Sequence, residues 1–93
     1  DLFGSPLTLG NFLQSIRMGE ELTLANFAEM LGISRSHLND IEKGRTAVSP
    51  QKAAEYAKIL GYSEEQFVRL AIQDHLNRHN LNFEVTVSKK RSA

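Results

Sequence analysis

Residues 22–45 read LTLANFAEMLGISRSHLNDIEKGR. Apolar residues recur three and four positions apart on both sides of Gly32, which is the spacing of two amphipathic helices. Gly32 allows the left-handed backbone that a tight turn needs, and Ala28 is small enough for two crossing helices to approach closely. The stretch therefore predicts two short helices joined by a tight turn.

The start of each helix in this stretch follows a pattern that recurs along the chain. An apolar residue precedes a Ser or Thr, and a second apolar residue follows four positions after the hydroxyl. The hydroxyl can cap free backbone N–H groups while the apolar pair packs across the first turn. The predicted caps are Thr8, Thr23, Ser34, Ser49 and Ser63. Left-handed helix ends are predicted at Gly19, Gly32, Gly44 and Gly61. The predicted fold class is therefore all-α, with five helices.

The carboxy-terminal stretch has a different period. After Asn80, apolar residues alternate with polar ones, at Leu81, Phe83, Val85 and Val87. A period of two residues predicts a short β-strand over 82–88, and a lone strand needs a partner.

The composition is that of one ordinary globular domain. The chain has 93 residues, 41% of them hydrophobic and 24% charged, which is unlike a disordered chain. No cysteine is present, so disulfides and cysteine-bound zinc are excluded. The 11 basic and 11 acidic residues balance, but the basic excess begins only at Arg35. We expect a cytoplasmic protein with no membrane segment.

The predicted helix after Gly32 has one apolar face and one polar face. Ile33, Leu38 and Ile41 are expected to point inward. The outward residues are Arg35, Ser36, His37, Asn39, Asp40 and Lys43. These side-chain types include most of those that can hydrogen-bond to the edges of base pairs.

The same residues resemble the Cro/repressor-type (Xre-like) helix-turn-helix family, over a range from about Leu9 to Phe67. The family's pattern is matched by Leu22-Thr23, Phe27-Ala28, Leu31-Gly32-Ile33-Ser34 and Ile41-Glu42-Lys43-Gly44. The resemblance implies a five-helix Cro/repressor-like fold, here with a short C-terminal β-strand. It also implies a bacterial transcriptional regulator, which we expect to be a repressor, that binds double-stranded DNA.

The resemblance assigns base contacts to the helix that begins after Ser34. The candidates are Arg35, Ser36, Asn39 and Asp40. Arg35 is the strongest, because a guanidinium can donate two hydrogen bonds to a guanine. Asp40 could accept from cytosine, or it could hold Arg35 or His37 in place. Asn39 could reach either a base or a phosphate.

Other positions are expected to contact the DNA backbone or to support the fold. The candidate backbone contacts are Thr23, His37, Lys43, Arg45 and Thr46. Leu24 departs from the family, which often has a phosphate-binding glutamine there, so that contact is absent or is made by backbone N–H groups. Arg17 and Glu42 match a family ion pair, whose expected role is structural.

We expect residues 1–80 to form the DNA-binding domain, with its motif at 23–44, and residues 81–93 to form the strand and a basic tail.

A second apolar row on the fifth helix, Val68, Ile72 and Leu76, needs its own partner. A homodimer could supply it, with this row and Phe83, Val85 and Val87 paired across a two-fold axis. Alternatively, the strand folds back on its own fifth helix.

Two rival functions stay open. The chain could be the antitoxin of a toxin–antitoxin pair, binding both DNA and a toxin protein, or a protein-interaction module without DNA binding. An enzyme is not expected, because no acid pair is spaced as a catalytic dyad. His75 and His79 have metal-ligand spacing but no evident third ligand, so we expect neither a metal nor a cofactor.

Overall fold

The structure, a computed structural model, describes residues 7–91. In this part of the chain five α-helices follow one another: α1 (Leu9–Gly19), α2 (Leu24–Leu31), α3 (Arg35–Glu42), α4 (Pro50–Leu60) and α5 (Glu64–Arg78). The predicted all-α class with five helices is confirmed. The chain divides into two compact units between Val48 and Ser49. The first unit holds α1 to α3, and the second holds α4, α5 and the segment that follows.

All five predicted capping residues lie at the N-terminus of a helix. In each case the hydroxyl oxygen accepts a hydrogen bond from the backbone N–H of the residue three positions later, as between Thr8 and Asn11 at 3.0 Å. Pro50 follows Ser49 in the first turn of α4, where its missing N–H has no intrahelical partner to lose. Sequence therefore predicts where each helix begins.

Three of the four predicted glycine ends are confirmed. Gly32 and Gly61 are left-handed C-caps, and Gly44 adopts φ 76° directly after the C-cap of α3. The prediction for Gly19 is wrong, because Gly19 is the last helical residue of α1 and Glu21 takes the left-handed conformation with φ 57°. The N–H of Leu22 donates to the carbonyl of Arg17 at 3.0 Å, and this bond places the left-handed residue two positions later.

The first unit has a small apolar core supplied by all three of its helices. Its buried residues are Leu9, Leu13, Ile16, Phe27, Ala28, Leu31, Leu38 and Ile41. Both α1 and α2 contact α3. Because the apolar side of α3 lies in this core, its other side is turned toward solvent.

Gly10 lies where α1 meets the end of α3. A Cβ atom at this position would collide with the carbonyl oxygen of Ile41. A glycine weakens a helix interior, so its presence here is explained by the close approach of the two backbones.

The second unit is a packed pair of helices. Its buried residues are Ala53, Tyr56 and Ala57 on α4 and Phe67, Leu70 and Ala71 on α5. Tyr62, in the connection between the helices, packs its ring 5.8 Å from that of Phe67, measured between centroids. No helix within residues 7–91 is both long and apolar enough to cross a membrane.

The predicted β-strand over 82–88 is not seen, and residues 81–91 form no helix or strand. A strand needs a neighbouring strand, and the described part of this chain offers none. Instead, the side chain of Gln73 donates to the carbonyl of Phe83 at 2.7 Å and accepts the N–H of Val85 at 2.9 Å. The segment therefore makes hydrogen bonds to its own α5.

Candidate nucleic-acid interface

Helix α3 is anchored by the buried residues in its second half. Leu38 and Ile41 are buried, and Glu42 is the one buried charged residue in the described part of the chain. Ser34 caps the helix by accepting the N–H of His37 at 3.0 Å. The helix is thus fixed at both ends, which orients its outward face.

The outward face presents the predicted base contacts. Arg35, Ser36 and His37 are exposed in the first turn of α3, and Asn39 and Asp40 are half-buried one turn later. Arg35 makes no ion pair with any residue in the range 7–91. Its five N–H donors are therefore available to an incoming acceptor.

Asp40 binds a partner that the sequence did not suggest. Its Oδ1 accepts the Nε–H of Arg45 at 3.0 Å, so the carboxylate holds neither Arg35 nor His37. The side chains of Arg45 and Asp40 are 57% and 42% exposed, and an ion pair this open to water adds little stability. The pair does, however, hold the Arg45 guanidinium beside α3.

The residues after α3 form a tight turn. The N–H of Gly44 donates to the carbonyl of Ile41 at 3.1 Å, and the N–H of Arg45 donates to that of Asp40 at 2.8 Å. These two bonds are those of a Schellman motif, with Gly44 as the left-handed residue. Lys43 is exposed and Thr46 is half-buried at this turn. The predicted backbone contacts Lys43, Arg45 and Thr46 thus lie on a defined turn beside the face of α3.

Thr23 lies at the start of α2. It caps α2 by accepting the N–H of Asn26 at 3.1 Å. Leu24 follows it and is half-buried. The first backbone N–H groups of a helix lack intrahelical acceptors, so the start of α2 can bind an anion without a glutamine side chain.

Arg17 and Glu42 form a two-pronged ion pair between α1 and the end of α3. The Nε–Oε2 and Nη2–Oε1 distances are 2.8 Å and 3.0 Å, and Arg17 also donates from Nη1 to the carbonyl of Leu22 at 3.1 Å. The side chains are 16% and 2% exposed. The hydrogen bond to Glu42 raises the pKa of the Arg17 guanidinium, although burial opposes that rise. This arrangement links α1, the turn before α2 and the end of α3.

The predicted dimer residues lie on α5 and the segment after it. Val68, Ile72 and Leu76 are half-buried on α5, as are Val85 and Val87 in the segment. Phe83, by contrast, is 66% exposed. The structure therefore leaves apolar surface in this unit, most of all at Phe83.

Besides the partner of Asp40, two further features are not predicted from the sequence. Gly10 has a signal that could have revealed it, because a glycine inside a helix suggests close contact with another backbone. The bonds from Gln73 to Phe83 and Val85 have no such signal, because a glutamine on a helix is common and its partners lie ten and twelve residues away.

A helix, a tight left-handed turn and a second helix with a polar outer face define a helix-turn-helix domain. A family model described as helix-turn-helix matches residues 13–67, which is more than half of the chain. The chain belongs to the Cro/repressor-type (Xre-like) helix-turn-helix family, and it is a DNA-binding helix-turn-helix regulator. Searches of curated proteins and of solved structures found no match.

Proposed function

We propose that this chain is a cytoplasmic transcriptional repressor that recognises a specific operator sequence by placing α3 in the major groove of DNA. The observation that carries the proposal is the division of α3 into two faces. Leu38, Ile41 and Glu42 are buried, while Arg35, Ser36 and His37 are exposed. A helix anchored in this way offers hydrogen-bonding side chains to a groove without rearranging its core.

Base recognition falls mainly to Arg35. Its guanidinium can donate two hydrogen bonds to O6 and N7 of one guanine, which discriminates against other bases by about 1–3 kcal/mol. Ser36 lies beside it in the first turn, and Asn39 lies one turn later. Both carry groups that donate and accept hydrogen bonds, so they suit neighbouring base edges.

Contacts to the phosphate backbone surround this face. Lys43, Arg45 and Thr46 follow the end of α3, His37 lies in its first turn, and Thr23 caps the start of α2. Phosphate contacts set the register of the protein on DNA without carrying sequence information. Their electrostatic part makes affinity fall with added salt.

The repressor acts as a homodimer in this proposal. Two half-sites one helical turn apart lie about 34–36 Å from each other, so a fixed protein spacing is needed to read both. The exposed Phe83 and the half-buried row Val68, Ile72 and Leu76 support the second unit as the surface that a partner covers. Residues 81–91 would then complete the interface from the position in which Gln73 holds them.

Selection from a library of random DNA duplexes tests the proposal. The wild-type chain should enrich one short sequence with approximate two-fold symmetry. A variant with both Arg35→Ala and Asn39→Ala should fold equally well, by thermal melting, and enrich no sequence. If the wild-type chain enriches none either, the proposed function is wrong.

A further inference from the structure

The salt bridge between Asp40 and Arg45 suggests a role for Asp40 other than base contact. We propose that Asp40 is a positioning residue, whose carboxylate holds the Arg45 guanidinium so that its free edge meets a DNA phosphate. This inference rests on the proposed function and deepens it. It assigns Asp40 to the backbone-binding part of the interface.

Arg45 is held at both its backbone and its side chain. The backbone N–H donates to the carbonyl of Asp40 at 2.8 Å, and the side-chain Nε donates to the carboxylate of the same residue at 3.0 Å. Two bonds to one residue fix where the side chain begins and which edge of the guanidinium faces α3. The turn at Gly44, with φ 76°, makes the backbone bond geometrically feasible.

The opposite edge of the guanidinium remains available. Among the described residues, the two Nη atoms of Arg45 have no hydrogen-bond partner, and the side chain is 57% exposed. A guanidinium has five N–H donors in a planar fork, and only the one on Nε is used here. The Nη edge matches two phosphate oxygens in a bidentate bond.

Two effects of Asp40 on DNA binding oppose each other. Its negative charge repels phosphates, and a phosphate on the Nη edge would lie within the distance of about 8 Å over which salt leaves this repulsion largely unscreened. Holding Arg45 in place lowers the conformational entropy that this long side chain loses on binding. In the proposal, the 3.0 Å bond between Asp40 and Arg45 makes positioning the larger of the two effects. The sign of the change in affinity distinguishes the two effects.

The experiment compares Asp40→Ala with Glu29→Ala in the full chain. Glu29 is an exposed acid on α2 in the same unit, and no described residue pairs with it, so its removal changes only charge. Affinity is measured by fluorescence anisotropy on the selected duplex and on its single-base variants, at several salt concentrations. Arg45→Ala and the double variant with Asp40→Ala complete a double-mutant cycle.

We expect Asp40→Ala to weaken binding to every duplex several-fold while Glu29→Ala leaves it equal or tighter. The salt slope should fall by up to about 1 in Asp40→Ala and in Arg45→Ala, and Asp40→Ala should have no further effect once Arg45 is gone. Tighter binding by Asp40→Ala would identify it as a repelling charge. A changed preference at one base pair would identify it as a base contact. Either result overturns the inference alone, whereas failure of the wild-type chain to select a duplex overturns the proposed function with it.

Discussion

Arg17 on α1 and Glu42 at the end of α3 are joined by two hydrogen bonds of 2.8 Å and 3.0 Å, although 25 residues separate them in the chain. Glu42 is almost fully buried, and both of its carboxylate oxygens are used. The position of the end of α3, from which the turn at Gly44 begins, thus depends on a contact with α1.

Glu42→Ala should lower the free energy of unfolding by about 2–3 kcal/mol. Breaking a fully buried pair costs about 3–5 kcal/mol because one charge is left alone, but Arg17 is 16% exposed and can gain water. Glu55→Ala is the matched control, since it breaks an exposed pair with Lys52 and should cost less than about 1 kcal/mol. Urea denaturation measures both. Equal stability losses in the two variants would contradict a structural role for the buried pair.

The two glycines of α1 should respond oppositely to substitution. Gly10→Ala forces a Cβ into the carbonyl oxygen of Ile41, and overpacking of this kind costs about 1–3 kcal/mol. Gly19→Ala meets no atom within 4 Å and should stabilise the helix by about 0.5–1 kcal/mol. Thermal melting compares them. A melting temperature for Gly10→Ala at or above that of the wild type would mean that α1 and α3 do not approach as closely as described.

The sequence was informative where local chemistry determines the structure. The hydroxyl caps and the left-handed glycines at 32, 44 and 61 act within one turn of a helix, so their patterns alone locate the ends. The predicted left-handed end at Gly19 is wrong because Glu21, two residues later, adopts that conformation. The bond from the N–H of Leu22 to the carbonyl of Arg17 requires it there.

Contacts between distant residues were harder to predict. The Arg17–Glu42 pair was suggested by the family resemblance rather than by spacing. Several basic residues lie near Asp40 in the sequence, which does not indicate which of them its carboxylate binds. The turn at Gly44 brings Arg45 to it. The strand over 82–88 was predicted from a true alternation of apolar residues, yet a strand also requires a neighbouring strand, which periodicity does not report.

Stability should decline at alkaline pH in a way that depends on Tyr56. Burial raises the pKa of its hydroxyl above the ordinary value of 10.0; the charge of Lys52 lowers it, and that of Glu55 raises it. The folded state therefore keeps a proton that the unfolded state has lost. The stabilisation is complete below about pH 10 and is lost as pH rises through the folded pKa. Denaturation of wild type and Tyr56→Phe between pH 8 and 11 tests this, because the variant should lose less stability over that range. Parallel curves would contradict the assignment.

Arg35 and Lys43 should contribute differently to DNA binding. Arg35→Ala should cost about 1–3 kcal/mol on the selected duplex and relax preference at one base pair. Lys43→Ala should weaken binding to all duplexes alike and lower the salt slope by about 1. Titrations on specific and random duplexes separate the two. Equal losses on both duplexes for Arg35→Ala would mean that it contacts phosphate rather than a base.

Residues 81–93 should be needed for dimerisation. Phe83 is 66% exposed, and the hydrogen bonds of the segment use the N–H groups of Leu81, Phe83 and Val85 and the carbonyl of Phe83. We expect the alternating apolar side chains of this segment to pack against a second copy, with the remaining backbone groups pairing across the two-fold axis. Truncation after Asn80 should therefore give a folded monomer that keeps weak half-site binding and loses most of its affinity for the full operator.

Sedimentation velocity of the intact and truncated chains at matched concentration decides this prediction, with Gln73→Ala as an intermediate variant. Gln73→Ala keeps every residue of the segment but removes the two side-chain bonds that join it to α5, so it should dimerise more weakly than wild type and more strongly than the truncated chain. If the intact chain sediments as a monomer, the segment serves only to cover its own α5. If the truncated chain remains a dimer, the row Val68, Ile72 and Leu76 is a sufficient interface, because no other part of the predicted dimer surface survives the truncation.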